Sequence, residues 1–303
     1  MIGHAAANLK RFSKVDLQMF RGHYEIRSRA RWFCKLLRTY MRRSMIFARG
    51  PRLKYRDLMN TLTTMAPSSA DVIFVHSSLS ALGYIRGGAQ TVLSSLRDWS
   101  NGKTLCLTTH SYCYPNERGQ CETFDVHETP SRVGAISDLF WRQPGVLRSV
   151  HPTHSLAAYG PNAEKLIRGH ESCSTPCGKG TPYERLVQED SGVLMFGATM
   201  NTYTLFHTAE DAAMAPYLYE KHLYILKIAS KDDHACNHSM HRHDMGVQRR
   251  FEEKKHWLEE QKLLFRYPLG AGELLWIPSA SAVHNAVVAE IENAPGFLLA
   301  DAA

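Results

Sequence analysis

Short apolar runs with no polar face recur along this chain, each followed by a hydroxyl- or glycine-bearing loop. Asp71-Val72-Ile73-Phe74-Val75, preceded by Pro67-Ser68-Ser69, is β-branched and aromatic throughout and reads as a buried strand. Thr104-Leu105-Cys106-Leu107-Thr108, Ser155-Leu156-Ala157-Ala158-Tyr159 and Gly192-Val193-Leu194-Met195-Phe196-Gly197 read the same way. Between them, helical patterns cover residues 55–65, 89–99, 133–141, 204–216, 247–264 and 284–291. Strands alternating with helices predict a three-layer α/β/α fold with a mixed central sheet. At 303 residues, 44% of them hydrophobic, the chain can bury such a core.

The net charge of +7 is concentrated in one segment. Residues 21–56 carry 12 Lys or Arg against Glu25 alone, a local balance of +11 that leaves the remainder at −4. Residues 1–54 therefore read as a basic, partly helical N-terminal extension and 55–303 as the folded domain. Within the extension Trp32, Phe33, Leu36, Leu37, Tyr40 and Met41 recur at near-helical spacing among six cations. Such a basic amphipathic helix packs on a protein body or contacts a membrane surface through residues 27–47. No nucleic-acid motif accompanies the charge, so no nucleic-acid partner is expected.

No run approaches the ~18 apolar residues a membrane span needs, and the opening residues do not form a secretory signal. Seven scattered cysteines resemble buried thiols more than a disulfide framework. The expectation is a cytoplasmic protein.

Candidate chemistry collects at the strand ends. Val75 runs into His76-Ser77-Ser78-Leu79, and Gly87-Gly88 opens the next helix; the second strand ends in Thr108-Thr109-His110. Ligands of open α/β sheets bind at the carboxyl ends of strands. In T-L-F-H-T-A-E, residues 204–210, a helix places His207 and Glu210 at i, i+3 on one face. The carboxylate can then hold the imidazole in one tautomer and stabilise its protonated form, as a general base near neutral pH requires. A surface pairing is the plainer reading of the same spacing.

Four blocks, V-H-S-S-L-S-A-L-G (75–83) followed by G-G, P-T-H-S-L-A-A-Y-G (152–160), S-T-P-C-G-K-G-T-P-Y-E-R-L (174–186) and T-L-F-H-T-A-E (204–210), together resemble the aminoglycoside 3-N-acetyltransferase family. The resemblance spans residues 55–300. It implies acetyl-CoA as co-substrate, an amine of an amino sugar as acceptor, and no metal. It further implies His207 as general base, Glu210 as its orienting partner and His76 beneath the site. Ser77, Ser78 and Leu79 would meet the pantetheine and thioester, with Thr108 and Thr109 in the second cofactor loop. The basic extension lies outside the family pattern and tilts the expected acceptor toward an amine made in the cell rather than a drug.

Other readings come from different classes. A non-catalytic CoA- or sugar-binding protein could keep the fold, though it would be expected to lose His207 or Glu210. The run H-A-C-N-H-S-M-H-R-H-D (234–244) has the side chains of a zinc site, as in a zinc-dependent hydrolase, but no standard zinc spacing; a polar loop explains it equally well. Cys173 and Cys177 would suit a Cys/His enzyme only if one lay beside a histidine.

Overall fold

The computed structural model describes residue 41 and residues 51–65, 69–115, 122–229 and 235–300. The basic stretch 27–47, its proposed membrane contact and all but a few residues of the 1–54 extension lie outside the described residues. The folded part opens with β1 (Arg52–Leu53), α1 (Tyr55–Thr64), β2 (Val72–Ser77), β3 (Tyr84–Ile85), α2 (Gly88–Trp99) and β4 (Thr104–Thr108). It continues through β5 (Thr123–Phe124), α3 (Ala135–Trp141), β6 (Leu147–Arg148), β7 (Leu156–Tyr159), α4 (Ala163–Ile167), α5 (Pro182–Gln188), β8 (Gly192–Phe196) and α6 (Leu205–Ala212). The last elements are β9 (Tyr219–Ala229), β10 (Ala235–His243), α7 (Lys254–Glu260), β11 (Phe265–Leu269), β12 (Gly272–Ile277) and α8 (Ala280–Asn293).

Seven strands form one mixed sheet in the order β11-β12-β8-β2-β4-β7-β6. Only the β8-β2-β4 centre is parallel; the flanking pairs are antiparallel. The apolar runs are continuous because each strand is covered on both faces. Ile73, Val75, Leu105, Leu107, Leu194 and Phe196 pack with Leu58 and Leu62 of α1, Val92 and Leu96 of α2, and Ile136 and Phe140 of α3. Val72, Phe74, Cys106, Val193 and Met195 face the other way, against Tyr183 and Leu186 of α5, Phe206 and Ala209 of α6, and Val283 and Val287 of α8. Strand period 2 thus sorts alternate residues into two cores, and the three-layer α/β/α expectation holds.

Several boundaries differ from the sequence reading. Arg52 and Leu53, assigned to the extension, pair in parallel with Tyr84 and Ile85 and so belong to the folded body. The helix expected over 247–264 shrinks to Lys254–Glu260. Upstream, Arg249 bridges Leu299, and the backbones of Gln248 and Arg250 bond to Ala300 and Leu298. Downstream, Lys262 is left-handed at φ 60°. The 234–244 run is neither a loop nor a helical face. Its described residues 235–243 are β10, paired with β9 along a hairpin that the sequence reading did not assign: β10 is polar, and β9, although it carries Leu223-Tyr224-Ile225-Leu226, leaves most of its residues exposed or half-exposed.

Candidate active site

The helix α6 starts at the carboxyl end of β8, which lies parallel to β2. It presents Leu205, Phe206 and Ala209 to the core, and that anchoring turns His207 toward the surface while Glu210 is fully buried. His207 Nδ1 lies 2.6 Å from Glu210 Oε2. Arg249 Nε donates to the other carboxylate oxygen at 2.9 Å. Burial by itself would raise the Glu210 pKa, but the hydrogen bond and charge of His207 and the Arg249 guanidinium outweigh it, and the carboxyl is held below its ordinary value. An ionised carboxylate only accepts hydrogen bonds, so Nδ1 is the protonated nitrogen and Nε2 carries the free lone pair. The i, i+3 contact read from the sequence is therefore made, and Arg249 is the partner that the sequence concealed 39 residues away.

His207 is also clamped between rings. His243 of β10 stacks on it with centroids 4.1 Å apart and planes 27° apart, and Phe251 meets it edge-on at 5.3 Å. Tyr219 stacks on the far face of His243. Tyr219 in turn donates its hydroxyl to Asp211 Oδ1 at 2.6 Å, joining the β9–β10 hairpin to α6. The third sequence block reaches the same place: Lys179 N–H bonds Asp211 Oδ2, and a Cβ on Gly178 would lie 2.2 Å from that oxygen, so any side chain there would displace the Asp211 carboxylate.

Behind His207 lies a contiguous set of buried histidines. His154 is 5.4 Å from His243 and 4.5 Å from His110, and His151 stacks on His170 at 4.2 Å. Their partners are neutral. Tyr183 donates its hydroxyl to the His154 carbonyl, so it accepts from His110 Nε2; Thr153 bonds His154 Nδ1 and Ser149 bonds His170 Nδ1. Burial, reinforced by the neighbouring histidines, pushes His110, His151, His170 and His243 well below the ordinary range and His154 down to about 3. These rings are neutral at pH 7.

His76, the penultimate residue of β2, lies on the α5–α6 face, edge-on to Phe74 and 6.2 Å from Tyr203. Burial depresses its pKa to about 3. No described residue bonds its Nε2 or the adjacent Ser77 Oγ, both buried. Ser78 N–H is tied to Phe196 O at 2.9 Å, and Leu79 begins a turn of 3-10 helix through Ala81. Gly197, at φ 68°, lets this loop close over β8: a Cβ there would lie 2.9 Å from Ser78 O.

The second strand-end loop is arranged differently. Thr108 pairs with Leu156 in the sheet, and Thr109 is fully buried, its hydroxyl shared with Ser155 and with Arg148 Nε. Arg148 also donates to Thr109 O at 2.9 Å and lies over Trp141 at 4.5 Å. Burial lowers its pKa to about 10, still charged at neutral pH. Thr109 thus anchors a loop and has no hydroxyl left for a ligand.

The strand geometry separates His238 from His241 in side-chain direction, with a register shift between His241 and His243. His238 turns inward toward His151, and His241 lies beside Tyr219; His234 is outside the described residues. Among the described residues no group of three or more His, Cys, Asp or Glu is placed to hold a metal. Cys173 and Cys177 are free thiols, and burial raises the pKa of both, which keeps them protonated at neutral pH.

A family model described as aminoglycoside 3-N-acetyltransferase matches residues 74–289. Aminoglycoside N(3)-acetyltransferase VIII of Streptomyces fradiae is 32% identical over 188 residues, 56% of this chain and 64% of that protein. The match thus spans a little under two thirds of that relative's length. Aminoglycoside N(3)-acetyltransferase IV of a Salmonella species is 29% identical over 241 residues, 76% of this chain and 85% of the relative. Among solved structures, aminoglycoside acetyltransferase AAC(3)-Xa superimposes with TM-score 0.73 at 25% identity, covering 84% of this chain and 98% of its own. A structure of AAC(3)-IVa in complex with a gentamicin gives 0.71 at 25%, covering 82% and 92%. The binary complex of AAC-IIIb with CoASH gives 0.70 at 22%, covering 80% and 97%, a likeness of fold.

Proposed function

The chain belongs to the aminoglycoside 3-N-acetyltransferase family, and from that premise we propose that it moves the acetyl group of acetyl-CoA directly to an amine of an amino sugar or aminoglycoside-like acceptor. The observation that carries the proposal is the 2.6 Å contact between His207 Nδ1 and the buried, ionised Glu210. It leaves Nε2 as a base on a half-buried face of α6. The gentamicin and CoASH complexes of similar proteins support the two substrate classes.

An amine that arrives as ammonium first loses one proton to solvent. Its lone pair then attacks the thioester carbon, and His207 Nε2 takes the second proton as the N–C bond forms. Glu210 stabilises the resulting imidazolium. Collapse of the tetrahedral intermediate re-forms the carbonyl and breaks the C–S bond, and the imidazolium returns its proton to sulfur. Holding both substrates in line supplies much of the rate.

For acetyl-CoA, the loop of Ser77, Ser78 and Leu79 is the proposed cradle of the pantetheine arm. The unpartnered buried atoms His76 Nε2 and Ser77 Oγ suit its amides, which can both donate and accept. Thr108 and Thr109 contribute by holding the neighbouring loop in place.

The test is thiol release from acetyl-CoA against a panel of aminoglycosides and simple amino sugars, with wild type and His207→Ala in parallel. Release that requires both an amine and His207 supports the proposal. Equal release by the variant removes the general-base role, and failure to bind CoA removes the acetyltransferase reading.

A further inference from the structure

We propose that Tyr112 is a specificity-determining platform for the acceptor, its aromatic face taking the ammonium-bearing ring of an amino sugar beside His207. The proposal rests on the transfer reading above and adds to it a residue that selects the acceptor rather than the cofactor.

Tyr112 lies four residues beyond the carboxyl end of β4, which runs parallel to β2. Its backbone is left-handed at φ 51°, a conformation that a bulky side chain rarely adopts. Three successive amides hold it there. Ser111 N–H bonds Thr153 O at 3.1 Å, Tyr112 N–H bonds the same oxygen at 3.4 Å, and Cys113 N–H bonds Pro152 O at 3.0 Å. Strain that the surroundings over-determine in this way collects at ligand-binding positions.

The side chain is fixed as firmly as the backbone. Tyr183 gives its hydroxyl proton to the His154 carbonyl and accepts from His110 Nε2, which leaves the lone pair of that neutral ring on Nδ1. Tyr112 therefore donates its hydroxyl to His110 Nδ1, 3.2 Å away. His110 and His154 meet the Tyr112 ring at 78° and 88°, so neither lies flat on it.

Tyr112 nevertheless remains 40% exposed, although burial raises its hydroxyl pKa to about 12. A side chain open to solvent while its polar end lies deep in protein is the wall of a cleft. The same histidine ties this wall to the proposed base: His154 is 6.0 Å from Tyr112 and 5.4 Å from His243, which stacks on His207.

With its hydroxyl spent on His110, what Tyr112 offers a ligand is its ring. An aromatic face attracts an ammonium held within about 6 Å of its centre, and an amino sugar carries its amine in that form before transfer. The histidines behind the ring are neutral at pH 7 and repel no cation. A ring locked before the acceptor arrives also gives up little rotamer freedom on binding.

Steady-state thiol release with gentamicin and with glucosamine as acceptors, beside calorimetric binding of CoA, tests this on the full chain. Tyr112→Leu should raise the acceptor KM about five- to thirtyfold, with kcat and CoA affinity within twofold of wild type. Tyr112→Phe, which keeps the ring, should stay within about threefold in KM. Tyr112→Asn suits a left-handed backbone and should repeat the KM rise if the leucine variant fails to fold. An acceptor KM within twofold of wild type in a folded variant without the ring overturns the platform and leaves the transfer reading intact. Loss of CoA affinity or kcat in step with the KM rise marks a structural loop residue and also overturns it. No release with either acceptor from wild type takes down the transfer reading, and the platform with it.

Discussion

His207 and the buried histidines behind it share a side chain and nearly share a location, yet they are held in opposite ways. His207 faces a full carboxylate across 2.6 Å. His110, His154 and His170 face hydroxyls and backbone carbonyls, and burial pushes all three far below the ordinary histidine range. An imidazole becomes a usable base only where a buried negative charge offsets its desolvation; among neutral partners it is a rigid packing element. The difference lies in Glu210, and Glu210 in turn depends on Arg249.

The sharpest way to break that contrast is His207→Ala. It should cost about 10² to 10⁴ in transfer rate while CoA affinity stays within a few-fold, read by thiol release and calorimetry; activity within a few-fold of wild type would sink the general-base role. Arg249→Met should come next. Removing one partner of a buried pair costs about 3–5 kcal/mol, measurable as a lower denaturation midpoint. Glu210→Gln should keep the hydrogen-bond geometry and lower the rate less than His207→Ala, because the imidazolium loses its countercharge but not its position.

The buried set gives a smaller and purely structural signal. A histidine whose folded pKa is depressed binds fewer protons folded than unfolded, so its stabilisation is present above the unfolded value near 6.5 and is lost as pH falls toward the folded value. For His76 and His154 that window runs from about 6.5 down to about 3. Glu210, also depressed, loses its contribution only below about 4.3. Melting temperature should thus begin to fall with pH before the Glu210 carboxylate titrates. His243→Phe, which keeps a ring over His207, should flatten that first slope; an unchanged slope would mean that His243 takes no part in it. Smallest of all, Arg142→Ala removes an exposed i, i+4 pair with Asp138 and should change stability by about 0.5 kcal/mol or less.

The sequence was most legible where one residue type meets one physical requirement. Continuous apolar runs marked β2, β4, β7 and β8 because strands covered on both sides admit no polar period. The H-x-x-E spacing marked the dyad because helix geometry brings i and i+3 together whatever surrounds them. The 247–264 stretch misled because its charged, periodic pattern suits a helix, while the C-terminal residues 298–300 claim the backbone of 248–250 instead. The 234–244 histidines suggested a common ligand set, yet a strand sends 238 and 241 in opposite directions.

By itself, then, the sequence determined the α/β/α layering and the contact between His207 and Glu210, because both follow from local periodicity. Only the tertiary structure decided what surrounds that contact, with Arg249 on Glu210 and His243 and Phe251 about His207, and what happens away from it, with Arg148 taking the Thr109 hydroxyl and Arg52 opposite Tyr84. Those partners lie tens of residues apart, and no helical or strand period connects them. Sheet order and hairpin register bring them together, and with them the charge state and accessibility of each group.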